Sequence, residues 1–305
     1  MLGIDLIEGE YDVENWLEAV RGLEHEPEKG VRCSVCFDRR FEVSAKKAAE
    51  LGEEIFTSTL LTSPKKSLKQ LQTAGDVLGQ KYGIAFIAPD YRKASGTQEQ
   101  NILAKEDALY RQDYCGCMFG LNIQRDQQKK LADELFVPIS QQIQPESIEA
   151  RVEMYERRWH LEEENKPYKI VKQRFLNWRL QMGLLKVRKE IIPAHFLPYS
   201  TLKNEYTRGK IDYCTNDIHH MNRDEVKFIT RETYNNLAHT AYQTITALIF
   251  DPPAFETEVA LRSALSMSLY DLSAILVVEE IPSNKIEILM QSRTYSDVKE
   301  VLIAL

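Results

Sequence analysis

Ile55-Phe-Thr-Ser-Thr-Leu-Leu61, Ser63-Pro64 and Ile84-Ala-Phe-Ile-Ala88 decide the fold class. The first run is rich in β-branched residues and predicts a strand. Ser63-Pro64 predicts a helix start with proline at the first helical position, the helix running to about Lys81. Residues 84–88 predict a second strand. Working outward, Cys36–Leu51 reads as a helix: Phe37, Phe41, Ala45 and Ala48 share one face, and Gly52 follows the end. Val13–Arg21 reads as a short helix carrying Trp16, Leu2–Ile7 as an opening strand, and Thr97–Tyr110 as a further helix. This alternation predicts a parallel sheet with helices on its faces. Ligands of such folds bind beyond the carboxyl ends of the strands, so the loops after Leu61 and Ala88 are the expected site walls.

Composition shifts near residue 125, which suggests two domains, 1–125 and 126–305. From Pro145 to about Arg188 the pattern reads as helical. Residues 151–190 hold eleven Lys/Arg against six Asp/Glu. With Trp159, Tyr168, Phe175 and Trp178 they can contact RNA by charge and stacking. A charged amphipathic helix pair with a core-facing aromatic stripe explains the same residues and is preferred. Strand–helix alternation returns from about Thr244 to Leu305.

The 305 residues suffice for a sizeable core, and 43% hydrophobic with 28% charged residues means a globular chain. A net charge of −7 excludes a uniformly basic nucleic-acid binder but not a local basic face. The most apolar stretches, Thr246–Phe250 and Ala274–Val278, are strand-length and too short to span a bilayer, so no membrane partner is expected. The N-terminus lacks a basic n-region and an apolar h-region. Cytoplasmic residence is the default expectation, and its reducing poise keeps thiols available.

Four of the five cysteines fall in two close pairs, Cys33-Ser-Val-Cys36 and Cys115-Gly-Cys117. Two thiols at the first spacing can ligate one metal or one cluster iron, and a helix start favours the thiolate. Two buried small hydrophobes explain the pair as well; a thioredoxin-like role fits poorly, because no long strand leads into the motif. A disulfide across one residue closes a strained ring whose lability suits exchange. The polar flanks Arg111, Gln112 and Asp113 argue against two core cysteines there. Together the four thiols are enough for zinc or a 4Fe–4S cluster. Cys214 near His219 and His220 is discounted as a metal site. Asp90-Tyr-Arg-Lys93 follows a predicted strand, where Arg92 and Lys93 can hold a phosphate or a base, although a solvated charge pair is the commoner outcome. Thr57–Ser63 offers hydroxyls and N–H groups ahead of a helix, a candidate anion site.

The run Glu8-Gly-Glu-Tyr-Asp12, Trp16, Glu24–Gly30, Arg32-Cys-x-x-Cys-Phe37, Thr57–Pro64, Asp90-Tyr-Arg-Lys93 and Tyr110-Arg-Gln-x-Tyr-Cys-Gly-Cys117 resembles QueH-type epoxyqueuosine reductases. The resemblance covers roughly residues 2–120. It implies an adenine-nucleotide-hydrolase-like (PP-loop) α/β fold, followed here by an α+β extension over 126–305. It implies a cytoplasmic oxidoreductase of tRNA queuosine biosynthesis that reduces epoxyqueuosine in tRNA to queuosine, fed by an electron donor the sequence does not name. Cys33 and Cys36 match two ligands of the family's 4Fe–4S cluster, and Cys115 and Cys117 its redox-active disulfide. The family's adjacent cysteine pair at the end of the first strand, which supplies the other two ligands, has no counterpart. The expectation is therefore a chain that starts after that strand. Asp90, Tyr91, Asp113 and Tyr114 are candidate acids for the leaving oxygen. A zinc-stabilised RNA-binding or interaction protein without catalysis is the competing reading.

Overall fold

The computed structural model describes residues 5–305 apart from 94, 108, 111, 113, 136–139, 267 and 269. It divides into two units, Met1–Ala132 and Asp133–Leu305.

The first unit runs α1 (Val13–Ala19), α2 (Val31–Glu50), β1 (Ile55–Phe56), α3 (Leu68–Tyr82), β2 (Ala85–Phe86), α4 (Gly96–Glu106) and α5 (Met118–Gln127). β1 and β2 pair in parallel, Ile55 opposite Ala85 and Phe56 opposite Phe86. The expected parallel pairing is thus present, but in two short strands. Residues 57–61 do not extend β1, because the Ser58 side chain accepts from the Leu60 N–H and starts a 3-10 turn over Thr59–Thr62. Nor does α3 begin at Pro64: the Ser67 side chain caps it by accepting from the Gln70 N–H. Gly83, at φ 72°, closes it in the left-handed conformation. Of the expected opening strand, residues 2–4 lie outside the described residues and Asp5–Ile7 form no strand.

α2 starts five residues before Cys36. Glu26 Oε2 accepts from the Val31 N–H at 3.1 Å, which satisfies one of the free donors of the first turn. Cys33 and Cys36 therefore both lie on the helix, three residues apart and on one side of it. The buried face of α2, Phe37, Phe41 and Ala45, packs with Leu71, Ala74 and Leu78 of α3 and with Phe56 of β1. The Phe41, Phe56 and Phe86 rings lie 4.9–6.4 Å apart between centroids. A Cβ on Gly75 would fall 2.0 Å from the Phe86 ring, so the absent side chain is what lets α3 lie so close to β2.

The second unit runs α6 (Ile148–Glu163), β3 (Tyr168–Val187), β4 (Glu190–Ile192), β5 (Ala194–Phe196), β6 (Tyr206–Gly209), β7 (Ile211–Thr215), β8 (Ile218–Met221), β9 (Lys227–Thr230), α7 (Arg231–Ala238), α8 (Ile245–Phe250), α9 (Phe255–Leu265), β10 (Ile275–Val278) and β11 (Ile286–Ala304). The helix pair expected over 145–188 is overturned: only α6 is helical, and Tyr168–Val187 is one long strand. It pairs antiparallel with β11 from Tyr168–Ala304 to Val187–Ile286, with one register shift at Gln291/Ser292. The partner lies about a hundred residues or more on, so tertiary pairing overrides the helical propensity of the lysines, arginines and glutamines.

A four-stranded antiparallel sheet has the order β4-β3-β11-β6. A five-stranded sheet has the order β5-β10-β9-β8-β7, with β9 and β10 parallel and the other pairs antiparallel. β10 alternates strictly: Leu276 and Val278 join the core shared with Leu185, Phe228 and Ile288, while Ile275 and Val277 join the core under Tyr234, Leu248 and Leu261 of the helices. The molecule is thus mixed α/β. Among the described residues no helix is long and apolar enough to cross a membrane.

Candidate redox site

Both cysteine pairs belong to the first unit. Cys33 Sγ accepts from the Lys29 N–H at 3.3 Å. Gln70 Nε2 ties this turn to α3 by donating to Lys29 O at 2.9 Å and to Ser34 Oγ at 3.1 Å. The Gln70 Oε1 is buried without a partner. Arg32 of α2, fully buried, donates to Leu23 O (3.0 Å) and Glu24 O (2.7 Å) and lies 5.8 Å from the ring centroid of Phe119 on α5. Burial pushes the Cys36 thiol up; Arg40 opposes this, and Cys115, Cys117 and Cys33 push the same way as burial. Cys36 thus feels the thiols of both pairs, although the pairs are about eighty residues apart in sequence.

Cys115 and Cys117 sit in the segment that leads into α5. The Cys117 carbonyl accepts from the Leu121 N–H at 2.8 Å and begins that helix. The Cys115 N–H donates to Gln124 Oε1 at 2.9 Å, and Gln124 Nε2 donates to Glu28 Oε1 at 2.5 Å. Buried Gln124 thus links the second cysteine pair to the turn before the first. A Cβ on Gly120 would lie 3.4 Å from Cys115 Sγ, so this sulfur rests against the backbone of α5. Lys66 Nζ lies 3.6 Å from the same sulfur. Beside these groups, Glu28, Lys29, Lys65, Gln124 and Gln127 line a polar cleft of about 320 Å³.

Arg92 is not an open phosphate clamp. Its Nε donates to Asp90 Oδ1 at 3.0 Å and its Nη1 donates to Ser63 O (3.3 Å) and Lys66 O (3.0 Å). It braces the 63–66 turn, and its hydrogen bond holds the Asp90 carboxyl below the usual carboxylate range. Three of the five Thr57–Ser63 hydroxyls are also engaged internally: Thr57 donates to Ile87 O, Ser58 caps the 3-10 turn and Thr62 donates to Thr59 O. Among the candidate acids, Asp113 lies outside the described residues, Tyr91 is exposed, and Tyr114 accepts from Tyr110 Oη at 3.2 Å. Cys214 lies in the second unit, 3.7 Å from His219 Nε2 in the β7–β8 hairpin, with His220 stacked on Tyr213.

All five cysteines are free thiols, so the disulfide expected between Cys115 and Cys117 is not formed here. Among the described residues no three metal-binding side chains converge.

The profile of the family described as Epoxyqueuosine reductase QueH matches residues 1–123. The Epoxyqueuosine reductase QueH of Helicobacter pylori is 36% identical over 293 residues, covering 92% of this chain and 79% of that protein. This chain belongs to the epoxyqueuosine reductase QueH family. The QueH proteins of Histophilus somni (39% identical over 120 residues) and Thermotoga maritima (36% over 127) match 39% and 41% of this chain and 49% and 66% of their own length. The chain thus spans about half to two thirds of these relatives, whereas the Helicobacter pylori match continues through the second unit. QueH proteins are oxidoreductases by name, and membership sets aside the zinc-stabilised module without catalysis.

A 4Fe–4S cluster takes four thiolates. Cys33 and Cys36, one helical turn apart and half-buried, suit one edge of such a cluster and do not complete it. Lys66, Gln70 and Gln124 escaped the sequence reading. Lys66 lies two residues after the Ser63-Pro64 signal, but nothing in a lysine or glutamine by itself marks it as a neighbour of a thiol.

Proposed function

We propose that the chain reduces the epoxide of epoxyqueuosine in tRNA to the cyclopentene of queuosine, with Cys115 and Cys117 as the redox pair and Cys33 and Cys36 as ligands of a 4Fe–4S cluster. The observation that carries the reading is the gathering of both cysteine pairs around buried Arg32 and Gln124. Deoxygenation consumes two electrons and two protons and releases water. Two thiols closing to a disulfide supply both: epoxide plus dithiol gives alkene, disulfide and water. An external reductant then restores the dithiol. A bound cluster would supply single-electron chemistry; no step is assigned to it, because Cys33 and Cys36 are only half its ligand set.

The polar cleft suits a hydroxylated ring: Lys29, Lys65 and the Gln124 and Gln127 side chains line it. Asp90 is occupied by Arg92 and Tyr91 is exposed, so Tyr114, next to Cys115, is the proposed proton source among the described candidates. The β1–α3–β2 crossover, with its parallel pairing, is compatible with the PP-loop-like topology proposed for this unit. Cytoplasmic residence, where tRNA is modified, belongs to the same proposal.

The test is conversion. Reconstituted protein is incubated with tRNA bearing epoxyqueuosine and a dithiol reductant, and the nucleosides are resolved by mass spectrometry. Queuosine should form with the wild type and not with Cys117→Ser. Formation at an equal rate with the variant would remove the redox role.

A further inference from the structure

The two thiols of the Cys115–Cys117 pair are not equivalent. Cys115 is held on three sides: its N–H by Gln124, its sulfur against Gly120, and its sulfur again by the Lys66 ammonium at 3.6 Å. Among the described residues no hydrogen bond reaches the Cys117 sulfur; its backbone carbonyl is spent on starting α5. Lys66 is not a loose surface lysine. It is half-buried, and its own carbonyl is gripped by Arg92, which Asp90 fixes in turn. A chain of contacts, Asp90 to Arg92 to the 63–66 turn to Lys66, therefore ends on one sulfur of the pair.

We propose that Lys66 makes Cys115 the engaging thiol of the pair and leaves Cys117 as the one expelled first, an assignment that rests on the redox role given to this pair above. Negative charge that gathers on sulfur at Cys115 meets an ammonium; at Cys117 it does not. When the external reductant restores the pair, a thiolate RS⁻ attacks the Cys115 sulfur of the disulfide, forms the Cys115–S–S–R bond and expels the Cys117 thiolate. A second RS⁻ attacks the outer sulfur, forms R–S–S–R and expels Cys115, whose charge meets Lys66. The pair gains two electrons and two protons, and two RSH become R–S–S–R. The Asp90–Arg92 motif becomes a positioning device for Lys66 rather than a ligand clamp.

The test is competition within one peptide and needs no tRNA. The reduced full-length protein is treated with limiting iodoacetamide, and fragmentation of the peptide that carries both thiols gives the labelling ratio of Cys115 to Cys117. The wild type should favour Cys115 by about fivefold, because the Lys66 ammonium lies 3.6 Å from its sulfur and among the described residues no such contact reaches Cys117. The ratio should fall toward one in Lys66→Met and return in Lys66→Arg. A variant that merely misfolds raises labelling of Cys33 and Cys36 as well, which the same digest reads. A ratio unchanged in Lys66→Met with those two sites unchanged would overturn the proposal, as would a wild type that favours Cys117. A wild type that forms queuosine but labels the two thiols equally sinks the Lys66 role alone. The bias without queuosine formation sinks the reductase reading alone.

Discussion

Gln124→Leu should loosen the second cysteine pair without unfolding the unit around it. Leucine keeps the volume of the buried side chain and removes both of its hydrogen bonds. The Cys115 N–H loses its acceptor at 2.9 Å, and Glu28 loses a donor at 2.5 Å. A donor stranded away from water costs about 1–3 kcal/mol, whereas half-buried Glu28 can turn to water at little loss. A net local cost of about 2 kcal/mol corresponds to about a thirtyfold rise in the population of the open segment. Hydrogen exchange read by mass spectrometry on fragments spanning 114–119 is the assay. Exchange at the Cys115 amide should speed up by about that factor, while α3, which shares no bond with Gln124, keeps its protection. Unchanged exchange at Cys115 would refute the tether. Equal acceleration throughout α3 would show instead that Gln124 supports the whole unit.

Three further outcomes follow from other contacts. Gly75→Ala should destabilise the first unit by about 1–3 kcal/mol in chemical denaturation, because the new methyl overlaps the Phe86 ring, whereas Gly116→Ala meets open space and should leave stability within about 0.5 kcal/mol. In the second unit, burial pushes Asp271 up but Lys227 and Ser273 outweigh it and bring its pKa to about 2. A carboxylate depressed on folding stabilises above its unfolded pKa, so this contribution, about 2 kcal/mol at pH 7, is lost as pH falls through about 4 toward 2. Asp271→Asn should be less stable at pH 7 by that amount and converge with the wild type near pH 2 in denaturation midpoints taken across pH. Buried Glu258 binds His195 (2.6 Å), Tyr234 (2.8 Å) and Gln142 (2.9 Å), and Glu258→Ala should cost about 3–5 kcal/mol by thermal or denaturant unfolding because three polar partners are stranded.

What the sequence disclosed follows the range of the interactions involved. α2 was legible because Phe37, Phe41 and Ala45 repeat at helical spacing, but its start was placed late because the Glu26 cap leaves no periodic signal. Ser67 overruled Pro64 as the start of α3 for a similar reason: two adjacent start signals compete, and packing selects one. β3 reads as helix from sequence because the stretch is dense in charged and aromatic residues, while its ladder is supplied by β11 about a hundred residues or more away. The cysteine pairs announced the site through spacing alone. Arg92 was seen but assigned outward to a ligand, when its donors turn inward to Asp90, Ser63 and Lys66. Lys66 and Gln124 were invisible because their roles exist only once α3, α5 and the 63–66 turn are brought together.

The most direct measurement of the central claim is iron and queuosine together. The wild type, Cys33→Ser/Cys36→Ser and Cys115→Ser/Cys117→Ser are reconstituted anaerobically with iron and sulfide. Each is assayed for bound iron and for queuosine formed in tRNA. The first double variant should lose both iron and queuosine, and the second should keep the wild-type iron content while forming no queuosine. Iron lost from Cys115→Ser/Cys117→Ser would make those two thiols ligands rather than a redox pair, and queuosine formed by that variant would show that the reaction does not need them.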